Sequence, residues 1–238
     1  MSKELDWNQH SKNYDQEIYS ITKWKEKRDR ILEELKDGQK ILILGCGSEV
    51  YLQKDILKKY PNSKIVLSDF FKGMLKQSKK KFNHENLSFK KENMMDLDYE
   101  DEFDVIISTN SILMPTIEEN DQVFENCHRA LKRNGKLIAY LPSFESCQKM
   151  VETLDENPFE LDPKEQVLGD VVDGTRQSFH TTRSIDNAAR KFKSQSIKRV
   201  FISESKEELD HVLDLYGSIL PKSVCKGIFE WYVVLTKR

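Results

Sequence analysis

The sequence predicts an α/β fold, a mostly parallel sheet flanked by helices, and three observations carry the prediction. Four short apolar runs, 40–44, 64–68, 103–108 and 136–141, are rich in β-branched residues and apolar at successive positions, which suits strands buried on both faces. Segments with helical spacing of apolar residues separate them, and repeated strand–helix–strand order implies right-handed crossovers. The chain has 238 residues, enough to bury one sizeable core without disulfide or metal staples.

Taken in order, residues 13–36 read as one or two helices with Ile18, Ile21, Trp24, Ile31, Leu32 and Leu35 apolar. After the first strand, residues 49–60 carry Val50, Leu52, Ile56 and Leu57 at near-helical spacing, and Pro61-Asn62 ends that helix before the second strand. Residues 120–132 repeat the pattern with Val123, Phe124, Cys127, Ala130 and Leu131. The stretch 143–195 is polar, is broken by Pro158, Pro163, Gly169 and Gly174, and reads as an insertion with short helices. Residues 197–204, a helix at about 205–220 and a strand over 230–236 add two more strands. The division is a single domain: an N-terminal helical cap (1–36), a core (37–142), a lid insertion (143–196) and C-terminal strands completing the sheet (197–238).

Lys plus Arg number 38 against 40 Asp plus Glu, and the resulting charge of −2 disfavours a nucleic-acid partner. Cys46, Cys127, Cys147 and Cys225 form no C-x-x-C pair, so no metal or disulfide framework is expected and a reduced compartment is the simpler setting. The polar N-terminus, with no apolar run near 18 residues, points to a soluble, cytoplasmic chain without a membrane partner.

Gly45-Cys46-Gly47-Ser48 follows the first strand and opens a helix, where backbone N–H groups and the positive helix end receive an anionic or polar group. The dinucleotide pattern G-x-G-x-x-G fails at Val50, and no Gly-Lys-Ser/Thr follows to make a phosphate loop. Asp69, 22 residues after Gly47, ends the second strand, where a carboxylate accepts ribose hydroxyls; a solvated turn Asp is the bland alternative.

With these residues in view, the chain resembles the class I S-adenosylmethionine-dependent methyltransferases over about residues 10–141 plus the final strand. Ile41 to Gly47 is similar to the family's first motif, and Asp69 followed by Met74-Leu75 to its acidic ribose motif. The stretch from Glu92-Asn93-Met94 to Ile106 resembles the adenine-lining segment and fourth strand, and that from His128 to Leu137 the turn before the fifth. Three positions depart from the pattern: Ile43 stands where an acid is usual, Glu49 where a third glycine is common, and Asn93 where Asp is usual.

The resemblance implies a Rossmann-like class I methyltransferase fold with a seven-stranded sheet, binding S-adenosyl-L-methionine and releasing S-adenosyl-L-homocysteine. It implies that Gly45, Cys46 and Gly47 contact the methionyl part, Asp69 the ribose, Phe70 and Met74 the adenine side, and Asn93 with Met94 the adenine edge. Ser108, Thr109 and Asn110 would supply carbonyls near the sulfonium, and Tyr14 would fold over the cofactor; ordinary packing is the alternative for Tyr14 and Phe70. Methyl transfer demands alignment more than acid–base help, so a base is optional. His180 and Asp173 in the insertion are the base candidates, His128 reads as structural in the helix before Asn134-Gly135, and Tyr14 is the other catalytic candidate. The insertion, with Phe144, Phe159, Phe179, Arg176 and Arg183, reads as a lid whose arginines offer a cationic anchor for an acidic substrate. The expected acceptor is a small molecule; a protein or RNA acceptor, or a binding protein without turnover, is the alternative.

Overall fold

The computed structural model describes residues 24–153, 159–170, 174–202 and 226–238. Tyr14, Asp173 and the helices expected before residue 24 and at about 205–220 lie outside the described residues.

Helix α1 (Trp24–Glu33) precedes β1 (Lys40–Leu44), α2 (Tyr51–Lys59), β2 (Lys64–Asp69), α3 (Lys72–Lys81) and β3 (Leu87–Lys91). A short 3-10 turn at Met94–Asp96 leads to β4 (Phe103–Thr109), α4 (Ile117–Ala130) and β5 (Leu131–Pro142). These strands join β9 (Phe192–Phe201) and β10 (Phe229–Lys237) in one seven-stranded sheet of order β3-β2-β1-β4-β5-β10-β9. The first five are mutually parallel, and β10 runs antiparallel to both its neighbours. The chain steps outward from β1 to β3 and then crosses to β4, so the point where strand order reverses lies between β1 and β4.

The continuous apolar character of β1 follows from its two covered faces. Ile41 and Ile43 pack with Ile31 and Leu32 of α1 and Leu52 and Ile56 of α2, while Leu42 and Leu44 pack with Val123, Phe124 and Cys127 of α4. Ile43, at the family's usual acidic position, is therefore a core residue, 4% exposed. Strand β3 escapes the apolar-run criterion because it is an edge: in Leu87-Ser-Phe-Lys-Lys, leucine and phenylalanine are half-buried and the rest face solvent. Helix α4 starts before the apolar pattern does, because Thr116 and Glu119 form a reciprocal capping box.

The segment 143–196 departs from the expectation of short helices alone. Between α5 (Phe144–Val151) and α6 (Thr182–Ala188) it folds β6 (Phe159–Asp162), β7 (Val167–Asp170) and β8 (Arg176–Ser178) into an antiparallel three-stranded sheet. These strands are three or four residues long, too short for alternation to register. Strand β9 likewise begins five residues earlier than its apolar stretch, since most of its side chains are exposed or half-buried. Among the described residues, no helix is long and apolar enough to cross a membrane.

Candidate functional site

Register brings three loops to one level. Leu44 of β1 is paired with Ser68 of β2 on one side and Ser108 of β4 on the other, so the residues after each strand emerge side by side at the reversal point. A cavity of about 750 Å³ opens there, a size suited to a nucleoside-sized ligand.

The first wall is the turn after β1. Gly45 and Gly47 have φ of 58° and 59°, in the left-handed region that favours glycine. Gly45 has a second reason to be glycine: a Cβ there would lie 2.4 Å from Ser111 Cβ. Ser111 in turn donates to the Leu44 carbonyl at 2.9 Å and shares a 2.7 Å hydrogen bond with Ser108. Glu49 turns its carboxylate onto the N–H groups of Tyr51 and Leu52, where a negative charge complements the start of α2. Cys46 directs its thiol toward the Gly47 carbonyl at 3.4 Å, and burial, with Asp69 and Glu49 nearby, pushes its pKa well up.

The second wall follows β2. Asp69 is 7% exposed and accepts the Gly47 N–H at 2.9 Å on one oxygen and the Phe71 N–H at 2.8 Å on the other. Burial raises its pKa, partly offset by those two N–H groups, which favour the anion. Each oxygen keeps a further lone pair. Phe70 beside it is 45% exposed, an apolar ring on the cavity wall rather than in the core, and Met74 closes the floor.

The 3-10 turn supplies the third wall through Asn93, Met94 and Met95. Asn93 caps this turn: its carbonyl accepts the Met95 N–H at 3.0 Å and its amide donates to Asp96 at 3.1 Å. From α4, Asn126 donates to the carbonyls of Met94 (3.1 Å) and Met95 (2.8 Å), fixing the turn against the domain.

The fourth wall, 110–115, is pinned from behind by polar side chains that periodicity had no means to identify. Buried Asn120 accepts the Met114 N–H at 2.9 Å and donates to Ser178 of β8. His180 corrects an expectation, since its imidazole is 2% exposed and does not line the cavity. Its Nε2–H donates to the Ile112 carbonyl at 2.7 Å and its ring meets Phe124 edge-on. The site uses His180 as a pin, not a base. Burial lowers its pKa to about 4. The unfolded chain takes up a proton below the ordinary value of 6.5 and the folded one only near 4, so stability is complete above about 6.5 and is lost as pH falls toward 4. The expected loss is about 3 kcal/mol. Urea unfolding between pH 4 and 7 checks this: His180→Gln flattens the acid limb, and equal slopes in the two proteins refute the assignment.

The structure thus brings Gly45, Gly47, Asp69, Phe70, Met74, Asn93, Met94 and Asn110 to one cavity. Cys46, Ser108 and Thr109 are not part of the lining, and neither are the exposed Arg176 and Arg183, so the lining does not include the expected cationic anchor. Among the described residues of 143–196, Gln177 alone reaches the wall. Ser111, Met114 and Glu119 also line it; they lie in loop and helix-start positions without a motif of their own. Among the described residues, no three His, Cys, Asp or Glu side chains converge as a metal site.

Comparison with known proteins matches the family described as "Methyltransferase domain" to residues 35–214. Malonyl-[acyl-carrier protein] O-methyltransferase 1 of Ilyobacter polytropus is 30% identical over 128 residues, 53% of this chain and 47% of that protein. The matched region spans about half the length of such curated relatives. Among solved structures, a protein of Pyrococcus horikoshii superposes with a TM-score of 0.66 at 18% identity, covering 94% of this chain and 91% of that one. Phosphoethanolamine N-methyltransferase 2 of Haemonchus contortus, solved with S-adenosyl-L-methionine, gives 0.62 at 16% identity over 89% of this chain and 52% of its own. At these identities the solved structures establish a common fold.

Proposed function

The chain belongs to the methyltransferase domain family, and from that premise we propose that it transfers a methyl group from S-adenosylmethionine to a nucleophilic atom of a small molecule by in-line displacement. The observation that carries the reading is Asp69: a buried carboxylate at the end of β2, held by Gly47 and Phe71, with spare lone pairs for a ribose diol. The rest of the cavity fits the same cofactor. Phe70 and Met94 offer apolar faces for adenine, Asn93 and the adjoining backbone its polar edge, and the turn at Gly45 and Gly47 borders the cavity where the methionyl part would lie. Bound cofactor supplies a sulfonium-activated methyl group.

The protein's own contribution is alignment and exclusion of water. The cavity wall bears two titratable side chains among the described residues, Asp69 and Glu119. Glu119 accepts the Thr116 N–H at 3.0 Å and its hydroxyl at 3.2 Å, so it serves the α4 cap. Orientation of the acceptor therefore carries the rate in this reading. Tyr14 remains part of the proposal as a cover over the cofactor.

A second reading takes the acceptor from the name of the Ilyobacter relative, a malonyl group on acyl-carrier protein. A carboxylate acceptor favours a cationic anchor, and among the described residues the wall carries no Lys, Arg or His, which supports a neutral or cationic small molecule instead. A cytoplasmic setting without a nucleic-acid partner completes the reading, supported by the free thiols of Cys46, Cys127 and Cys147 and by the near-zero net charge.

Calorimetry with S-adenosylmethionine is expected to give saturable single-site binding. Tritiated methyl transfer in a cell extract is expected to label the small-molecule fraction. Absence of binding at millimolar cofactor overturns the function, and label confined to protein or RNA overturns the acceptor class.

A further inference from the structure

We infer that Glu230, ion-paired with Lys27 beneath the carboxyl edge of the sheet, is a positioning residue that sets the Asn110 wall of the cavity, with Lys27 as its counter-ion. The inference rests on the reading of that cavity as the cofactor site.

The pair is drawn from the two ends of the described chain. Lys27 of α1 and Glu230 at the start of β10 have side chains only 4% and 12% exposed, and the Lys27 ammonium is ion-paired with Glu230 Oε2 while lying 5.3 Å from the centre of the Tyr140 ring. Burying such a pair is weakly stabilising at best, because desolvation cancels most of the attraction and apolar replacements often do as well. The surroundings of Glu230 on β10 are apolar, with Tyr232 and Val234 following it on the same face. Stability alone does not account for a charge at this position.

The second carboxylate oxygen supplies the reason. Glu230 Oε1 accepts from Asn110 Nδ2 at 2.8 Å. Asn110 is the first residue after β4, lines the cavity and has φ of 54°, a strained value that asparagine tolerates better than most residues. Its N–H donates to the Tyr140 carbonyl at 2.9 Å, so backbone and side chain are tied to the same corner of the sheet. Ser111, the next residue, closes over Gly45. Lys27 neutralises the Glu230 carboxylate, Glu230 holds Asn110, and Asn110 sets the turn that lines the cavity beside Ser111.

The test separates this role from packing by removing both charges together in two ways. Lys27→Met/Glu230→Gln keeps an acceptor for Asn110, whereas Lys27→Met/Glu230→Leu removes it. Both doubles avoid an unpaired buried charge and are expected to melt alike. The Gln double is expected to bind S-adenosylhomocysteine as the parent protein does, and the Leu double about tenfold more weakly, the weight of one hydrogen bond. Equal affinity in the two doubles overturns the inference. Should the Leu double fail to fold, Asn110→Ala compared in the parent and in the Gln double keeps the question open to measurement. The inference expects the same loss in both backgrounds, and a loss confined to the parent overturns it. A parent protein that does not bind S-adenosylhomocysteine overturns the reading of the cavity instead, before any variant is compared.

Discussion

Replacing Gly45 by alanine is expected to abolish measurable S-adenosylmethionine binding and to lower the melting temperature by about 10 °C. Two independent costs combine. A non-glycine residue at φ 58° costs about 1–2 kcal/mol. The new methyl group also enters occupied space, 2.4 Å from Ser111 Cβ and 2.8 Å from its hydroxyl, and overpacking of this kind typically costs about 1–3 kcal/mol. Ser111 is anchored to Leu44 and Ser108, so it yields only by breaking those bonds and moving the wall of the cavity. Gly45→Ala/Ser111→Gly relieves the collision but not the backbone strain, and is expected to recover part of the stability. Calorimetry and thermal unfolding of the three proteins decide it; a Gly45→Ala protein that binds within a few-fold of the parent refutes the close-packed turn.

The second large effect is at Asp69. Asp69→Ala deprives the Gly47 and Phe71 N–H groups of their acceptor, and unsatisfied buried donors cost about 1–3 kcal/mol each. The same substitution removes the proposed ribose acceptor, so cofactor affinity is expected to fall by about a hundredfold, as for a charge-assisted bidentate contact. The pH dependence has a definite sign. Burial lifts the Asp69 pKa above 3.8, so the folded protein binds this proton more tightly than the unfolded chain, and this contribution to stability is lost as pH rises from about 3.8 through the raised value. Cofactor hydroxyls favour the anion, so binding weakens in the opposite direction, as pH falls through the same raised value. Dissociation constants measured as pH is lowered from neutral are expected to show that acid limb in the parent and none in Asp69→Asn. A limb shared by both proteins assigns it to another group.

The parts of the site legible without coordinates are those encoded by local rules. Gly45, Gly47 and Asp69 stand at strand ends, where loop chemistry follows from chain direction, and their mutual contact follows from β1 and β2 being parallel neighbours in register. Spacing allows Phe70 to be either core or cavity wall, and its 45% exposure selects the wall. A lone histidine in a polar stretch carries no sign of burial, so the sequence by itself offers His180 as a base. Only the docking of its strand end against α4 and the Ile112 carbonyl makes it a structural group.

Sequence alone sufficed for the mostly parallel strand–helix core, the turn after β1 and the acid after β2, because each depends on neighbours within a few residues or on a two-sided apolar pattern. Tertiary structure decided the rest. The wall at 110–115 is shaped by Asn120, His180 and Glu230, which approach from α4, from the end of the small sheet and from the last strand. Nothing in the spacing of such residues announces their meeting, since hydrogen bonds between side chains far apart in the chain leave no periodicity in it. The small sheet of β6, β7 and β8 is likewise a product of packing, because strands this short hold together through their partners rather than through their own composition.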